Sequence, residues 1–437
     1  MIKVAKFGGS SVAQAAQFAK VKAIMEQDPA RRVAVISAAG KRDSKDHKMT
    51  DLLYLVHAHL KYGVSPAELL KEIRDRLLEI RDGLGISYAI EADFDAFAAG
   101  LSKESSQDEI VSRGEYFTSK LMAAYLGFHF LDAADCIFFN FEGNFDREKT
   151  DKAIGDALAA YGRLVIPGFY GAMPDGKIRV MTRGGSDITG AVAAAALNAD
   201  VYENWTDVSG ILMADPRIVK DPKPIERITY AELHELAYMG ASVLHEDAIQ
   251  PVKDKGILLN IRNTNRPEDQ GTLIMESFPE EEETDRPITG ISGRRHYRII
   301  TLFKRQMEGN EELRHALKVM ERNNLRVDNI TLGLGSFALV VSFGEQENRL
   351  YDILAELKDV CQPDSLDIKE NIALVAAVGR QMSARPGTSG RLFRALGENG
   401  VNIRTIAQGA DELSIIVGVE DAMFETAIRV LYDNFGG

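Results

Sequence analysis

Cysteine is almost missing from this chain, which has two in 437 residues, Cys136 and Cys361. They stand far apart and without the short spacing of a metal-binding pair, so neither a disulfide scaffold nor a cysteine metal centre is expected. Two buried thiols in a reducing compartment is the plain reading. An excess of basic residues is missing too: 52 Lys and Arg face 65 Asp and Glu, a net charge of −13. With no basic stripe to offset that balance, no nucleic-acid partner is expected. No run approaches the ~18 consecutive apolar residues of a membrane span, and the first residues lack an apolar signal segment. A soluble, cytoplasmic protein without a membrane partner is the expectation. Hydrophobic residues make up an ordinary 45%, enough for real cores, and at roughly 150 residues per domain the length suggests two or three domains.

What is present concentrates at the start. Lys3-Val-Ala-Lys6-Phe7-Gly8-Gly9-Ser10-Ser11-Val12 reads as a strand running into a diglycine and then into a helix opening. Ser11 and Gln14 have the spacing of an N-terminal capping box. Two glycines let backbone approach an anion, and the N–H groups of a helix end point at it. Lys6, at the strand end, is placed to reach the same anion. The pattern is a candidate phosphate site, although not the Gly-x4-Gly-Lys-Ser/Thr loop; a plain strand–turn–helix junction with a solvated lysine is the alternative.

From residue 1 to about 275, short apolar runs (Val33–Ile36, Leu164–Ile166, Ile257–Ile261) alternate with helix candidates at 12–26, 50–61, 65–82, 107–126, 187–198 and 230–239. That alternation predicts an α/β sandwich with a mainly parallel central sheet, whose ligands bind at the carboxyl ends of the strands, where Gly8 and Gly9 fall. Residues 276–287, acidic and bracketed by prolines, read as a linker. Beyond them a weak duplication appears. Helix 311–323, strand 337–343 and helix 348–360 recur as helix 388–398, strand 413–419 and helix 422–435, with strands 298–303 and 372–378 before the first helix of each copy. Two small α+β domains of βαββα order, paired through sheets or helices, are expected.

Three further clusters bear on chemistry. Gly114 and Glu115 lie inside a helical stretch, where a glycine costs about 1 kcal/mol relative to alanine and so implies a close approach. Glu115 is able to hold an ammonium, or is an ordinary surface carboxylate. Thr182-Arg183-Gly184-Gly185-Ser186-Asp187 opens an alanine-rich helix. Arg183 is suited to clamp a carboxylate through two hydrogen bonds, and Asp187 is either the helix cap or the partner of Lys6. Trp205-Thr206-Asp207 and Asp215-Pro216-Arg217 form a turn-rich stretch of the kind that grips a nucleotide, or simply loops. Two glycine-rich helix openings, one with lysine and one with arginine and aspartate, suit phosphoryl transfer to an anionic acceptor. That chemistry rests on positioning and charge neutralisation, and a carboxylate acceptor is already ionised at pH 7.

In the order and identity of these motifs, from Lys6-Phe7-Gly8-Gly9-Ser10-Ser11-Val12 to the duplicated tail, the whole chain resembles the aspartokinases of the amino-acid kinase family. The resemblance implies a kinase domain over 1–275 and a linker over 276–287. It further implies a first ACT-like domain over 297–368 and a second built from 288–294 with 370–437, both regulatory. It implies ATP-dependent phosphorylation of the side-chain carboxylate of L-aspartate, with Mg2+ carried on the nucleotide, as the first step toward lysine, threonine and methionine. In this reading Lys6 stabilises the transferring phosphoryl group and Asp187 orients Lys6. Gly8, Gly9, Ser10 and Ser37 attend the phosphates. Thr50, Glu115, Arg183, Gly184, Gly185 and Ser186 bind aspartate, with Glu115 on its amino group, and Thr206, Asp207, Asp215 and Arg217 contact ATP. Asp328 fits a position for an effector's amino group, with lysine the first expectation and threonine the second. A homodimer through the ACT units is also implied.

The chain departs from the family pattern at Ser242, where a lysine is usual, at Leu212, where an aromatic is frequent, and in the polar insertion 41–48. The departures at Ser242 and Leu212 keep open a non-catalytic or weakly catalytic amino-acid sensor. A kinase for glutamate or N-acetylglutamate is the other alternative; Glu115 argues against an acetylated amine.

Overall fold

The apolar runs around Val33–Ile36, Leu164–Ile166 and Ile257–Ile261 settle into interior strands of one sheet, buried on both faces as parallel strands are. In the computed structural model, which describes residues 1–436 except 182–183, 242–243, 245–247, 280–285 and 306–309, two compact units are present. The first comprises Met1–Ile211, Pro224–Tyr230 and Val243–Phe278; the second comprises Leu212–Lys223, Ala231–Ser242 and Pro279–Gly437.

In the first unit the strands are β1 (Lys3–Phe7), β2 (Arg31–Ile36), β3 (His129–Phe130), β4 (Leu164–Pro167), β5 (Tyr170–Ala172), β6 (Ile178–Val180), β7 (Val201–Thr206), β8 (Arg227–Thr229), β9 (Leu258–Asn263) and β10 (Thr272–Met275). Eight of them form a sheet in the order β3-β4-β2-β1-β7-β9-β10-β8, while β5 and β6 make a separate hairpin. All neighbours in the large sheet are parallel except β9 and β10. The expected mainly parallel α/β architecture is therefore present. Phe7 is in register with Ile36 on one side and Trp205 on the other, so the loops leaving β1, β2 and β7 emerge along one carboxyl edge.

Local details differ from the sequence reading. The first helix begins at Ala15, after a single 3-10 turn over Gly9–Val12, and its cap residue, Gln14, makes no side-chain capping bond. The Ser11–Gln14 capping box is not formed, because the buried Ser11 hydroxyl pairs with the equally buried Thr264 hydroxyl at 2.7 Å. A buried hydroxyl left without that partner would be the costlier arrangement. Helices Ile90–Ala99 and Arg147–Tyr161 were not anticipated. Trp205 is a core residue, stacked on Phe7 and flanked by Arg31 and Arg262.

The second unit carries one six-stranded antiparallel sheet built from β11 (Gly290–Phe303), β12 (Val327–Gly333), β13 (Ser336–Ser342), β14 (Ser365–Val378), β15 (Thr405–Gln408) and β16 (Ser414–Glu420), in the order β12-β13-β11-β14-β16-β15. The long strands β11 and β14 run through both halves. Ile299–Phe303 pairs with Ser365–Lys369 and Gly290–Arg294 with Leu374–Val378, with an irregular register between. Helices Glu311–Arg322 and Leu350–Cys361 contribute to one apolar core, and helices Thr388–Glu398 and Phe424–Phe435 to another. Half of the acidic run expected to be a linker, residues 280–285, lies outside the described residues. Among the described residues no helix is long and apolar enough to cross a membrane.

Candidate active site

Lys6 is a buried ammonium near the end of a central strand, which is unfavourable without a partner. Its Nζ lies 2.5 Å from Oδ1 of Asp187, in the first turn of the helix Gly185–Ala196. The Asn204 amide donates to the same oxygen at 2.8 Å, and the Tyr202 hydroxyl donates to the Asp187 carbonyl at 2.9 Å. Asp187 is thus the partner of Lys6. Gly184, at φ 78°, supplies the left-handed turn that starts this helix. A Cβ on Gly168 would sit 2.6 Å from the Ser186 Cβ, so glycine lets the loop after β4 approach the helix opening. Thr182 and Arg183 lie outside the described residues.

At the other glycine-rich opening, the Gly8 N–H donates to the Trp205 carbonyl at 3.0 Å and the Gly40 N–H to the Gly9 carbonyl at 2.9 Å. A Cβ on Gly8 would lie 3.5 Å from the Lys6 ammonium, which puts that charge beside the diglycine. The Ser37 N–H donates to the Phe7 carbonyl at 3.1 Å, so Ser37 begins the neighbouring loop on the same edge. Gly8, Gly9, Ser10, Ser37 and Lys6 are therefore gathered at one end of the sheet.

Glu115 is far from the ordinary surface carboxylate that its helix position allowed. It is 4% exposed and its Oε2 has no hydrogen-bond partner. Burial pushes its carboxyl up to about 8, against a smaller opposing effect of the Ala38 N–H. A buried carboxyl that ionises only with help is suited to receive a cation. Its neighbour Gly114 explains the glycine in mid-helix: a Cβ there would come 3.0 Å from the Ala38 Cβ and 3.3 Å from Leu53 Cδ1. Thr50, in the first turn of helix Met49–Lys61, borders the same contact, its methyl 3.7 Å from that added Cβ.

Thr206 and Asp207 follow β7 in the first unit, where the Thr206 hydroxyl donates to Asp207 at 3.2 Å. Asp215 and Arg217 belong to the second unit. There they form an ion pair at 2.6 Å, with the Arg217 side chain 87% exposed. Leu212, Pro216, Arg217, Ile218, Lys220, Asp221 and Pro222 line an open groove of about 540 Å³. Ser242 lies outside the described residues. Asp328 on β12, the candidate effector residue, has a side chain only 4% exposed. Its Oδ1 accepts from the Tyr238 hydroxyl and from Arg326 Nε and Nη2. An incoming ammonium meets a carboxylate whose Oδ1 is already engaged by these donors.

Sequence reasoning missed Asn204, Gly40 and Arg76. Asn204 was detectable: it is a lone amide inside a strand of buried Tyr202 and Trp205. Gly40 and Arg76 had no such signal, since their importance lies in contacts between distant segments.

Residues 1–263 match the model of the amino acid kinase family and residues 375–435 that of the ACT domain. Aspartokinase 3 of Bacillus subtilis is 33% identical to the chain over 453 residues, covering 99% of this chain and 98% of its own length. The aspartate kinase of Clostridium acetobutylicum is similar in structure with a TM-score of 0.94 at 43% identity, covering 99% of this chain and 100% of that one. Aspartokinase III of Escherichia coli has been solved with aspartate and ADP and, separately, with lysine and aspartate. These give TM-scores of 0.74 and 0.75 at 27% identity, each over 99% of both chains.

Proposed function

The chain belongs to the amino acid kinase family as an aspartokinase, and on that premise we propose how its residues carry the reaction. The enzyme transfers the γ-phosphoryl group of ATP to the side-chain carboxylate of L-aspartate. The bond from the γ-phosphorus to the β–γ bridging oxygen breaks, a bond to the carboxylate oxygen forms, and ADP and 4-phospho-L-aspartate result. Both reactants are anions, so the barrier is lowered by neutralising and aligning them.

The observation that carries this reading is the Lys6–Asp187 pair between two glycine-rich helix openings at the carboxyl edge of the sheet. Lys6 follows the charge that develops on the transferring group, and Asp187 with Asn204 fixes its ammonium in place. The backbone N–H groups around Gly8, Gly9 and Ser10, with Ser37, receive the phosphates. Mg2+ carried on the nucleotide would offset phosphate charge and would need few ligands from this chain. Glu115 takes the ammonium of aspartate, and Thr50, Gly184, Gly185, Ser186 and Arg183 take its carboxylates. Thr206, Asp207, Asp215 and Arg217 are assigned to ATP on the family resemblance.

The product feeds lysine, threonine and methionine synthesis, and lysine is the proposed feedback effector at the ACT-like units, with Asp328 as its ammonium partner. The two units are proposed to follow the duplication, 297–368 and 288–294 with 370–437. A homodimer is supported by the edge strand β12 and the turn after it, where Ile330, Leu332 and Leu334 are exposed. Buried, unpaired Cys136 and Cys361 agree with the reducing cytoplasm.

The test is an acyl-phosphate assay with MgATP, products trapped by hydroxylamine, and aspartate, glutamate and N-acetylglutamate as acceptors. Turnover of aspartate alone, abolished by Lys6→Ala, is expected. Turnover of another acceptor instead, or of none, overturns the reading.

A further inference from the structure

We propose that Arg76 is a positioning residue that sets the phosphate-receiving loop at Gly9 and Ser10 from behind, through Gly40. The inference rests on the placement of the ATP phosphates proposed above.

Arg76 projects from the helix Ala67–Leu84 among the apolar residues Ile73, Leu77 and Ile80, and only 3% of it is exposed. A guanidinium in such surroundings is hard to justify by stability, since a buried ion pair is often no better than well-packed apolar side chains. Among the described residues its polar partners all belong to one loop, with Nε left unpartnered. Nη2 donates to the Gly40 carbonyl and lies 3.3 Å from Oδ2 of Asp46. Nη1 donates to the His47 carbonyl at 2.8 Å. Asp46 is tied in turn by the Arg42 N–H at 2.8 Å and by Arg42 Nε and Nη2 at 3.0 Å each. Those bonds hold its carboxyl well below the usual carboxylate range, so Asp46 stays ionised beside the guanidinium. The polar insertion 41–48, a departure from the family pattern, is therefore strapped to the helix at both ends.

Gly40 is where that strap meets the candidate site. Its N–H donates to the Gly9 carbonyl, and its α-carbon is pressed against the same peptide. An added Cβ would lie 2.5 Å from the Gly9 carbonyl carbon and 2.8 Å from the Ser10 nitrogen. Gly9 is equally tight from its own side, an added Cβ meeting the Ala38 carbonyl at 3.0 Å. Backbone packed this closely has no slack, so a shift of Gly40 becomes a shift of the Gly9–Ser10 amides. Misplacing a binding group by about 1 Å is enough to lose roughly a hundredfold in rate.

The test measures binding of a fluorescent ATP analogue with Mg2+ and no acceptor present, together with the KM for aspartate and the thermal midpoint. Arg76→Met is expected to weaken nucleotide binding about tenfold or more, the scale of one lost charge-assisted hydrogen bond, with aspartate KM changed less than about twofold. Arg76→Lys, able to reach one carbonyl, is expected to recover most of the loss. Gly40→Ala should reproduce the nucleotide defect with the guanidinium intact. Leu77→Ala, at the next residue of the same helix and in the same core, is the control and should lower the midpoint while leaving nucleotide affinity unchanged. Unchanged nucleotide affinity in Arg76→Met overturns the proposal, as does an equal loss in Leu77→Ala. If Arg76→Met does not fold, wild-type affinity in both Arg76→Lys and Gly40→Ala overturns it. Because the binding readout needs no acceptor, a wild-type protein that binds MgATP but does not phosphorylate aspartate refutes the assigned acceptor and leaves this inference standing.

Discussion

Lys6 and Asn204 sit in register on neighbouring parallel strands and both reach the same atom, Oδ1 of Asp187. The strand register that builds the sheet thereby fixes which two side chains converge on the helix opening. Removing them should have unequal effects. Lys6→Ala removes the charge itself and is expected to lower kcat by at least about 10²–10³, the range for one donor aimed at developing charge. Asn204→Ala only frees Asp187 and should lower kcat about tenfold with KM values little changed. Steady-state kinetics on both substrates check this, and equal losses would contradict it.

The Glu115 carboxyl predicts two opposite pH trends. Its native value near 8 stands above that of the unfolded chain, so between about pH 4.5 and 8 the native state holds a proton that the unfolded state has released. Stability from this group is complete below that window and lost as pH rises through it. Glu115→Gln should therefore gain on wild type in unfolding free energy, read from denaturant curves, as pH goes from 5 to 8.5, by about 1–3 kcal/mol in the end.

Aspartate binding should move the other way. An ammonium at Glu115 needs the ionised carboxylate, so wild-type KM for aspartate should fall up to about tenfold per pH unit below 8 and flatten above it. In Glu115→Gln the KM should be higher and this dependence absent. A wild-type profile flat from pH 6 to 8.5 would remove Glu115 from the ammonium site.

Gly190 tests how firmly the helix behind Asp187 is docked. A Cβ there would strike the Tyr202 ring and hydroxyl at 2.5–2.8 Å, and this hydroxyl holds the Asp187 carbonyl. Gly190→Ala is expected to destabilise by about 1–3 kcal/mol despite its better helix propensity. Denaturant midpoints decide; a stabilised variant would mean that the helix shifts freely.

Asp328 is engaged internally by Arg326 and Tyr238, so these donors compete with an effector ammonium for the same carboxylate. Removing one competing donor should help the effector. Tyr238→Phe is expected to lower the inhibitory concentration of lysine about threefold to tenfold, the value of one hydrogen bond. Asp328→Ala should abolish inhibition with kcat preserved. Inhibition curves at fixed substrate check both, and unchanged sensitivity in Asp328→Ala would place the effector elsewhere.

Much of this was legible because local chemistry forces it. A lysine near the end of a strand before two glycines, and Gly184-Gly185-Ser186-Asp187 before an alanine-rich helix, mark candidate anion sites in the sequence, since free N–H groups at a helix opening and the positive φ of Gly184 are local requirements. Strand and helix periods announced the parallel sheet and the duplicated tail. The Ser11 capping box failed for the complementary reason: its geometry was available, but a hydroxyl more than 250 residues away outcompeted it.

Residue types and their spacing by themselves determined the fold class, the two glycine-rich openings and the chemistry they suit. Tertiary structure alone decided that Asp187 serves Lys6 instead of merely capping a helix, that Glu115 is buried and resists ionisation, and that Arg76 reaches Gly40. Each of these depends on desolvation and close approach between segments far apart in the chain. A one-dimensional pattern carries no information about burial until the sheet register and helix packing have set which surfaces lose their water.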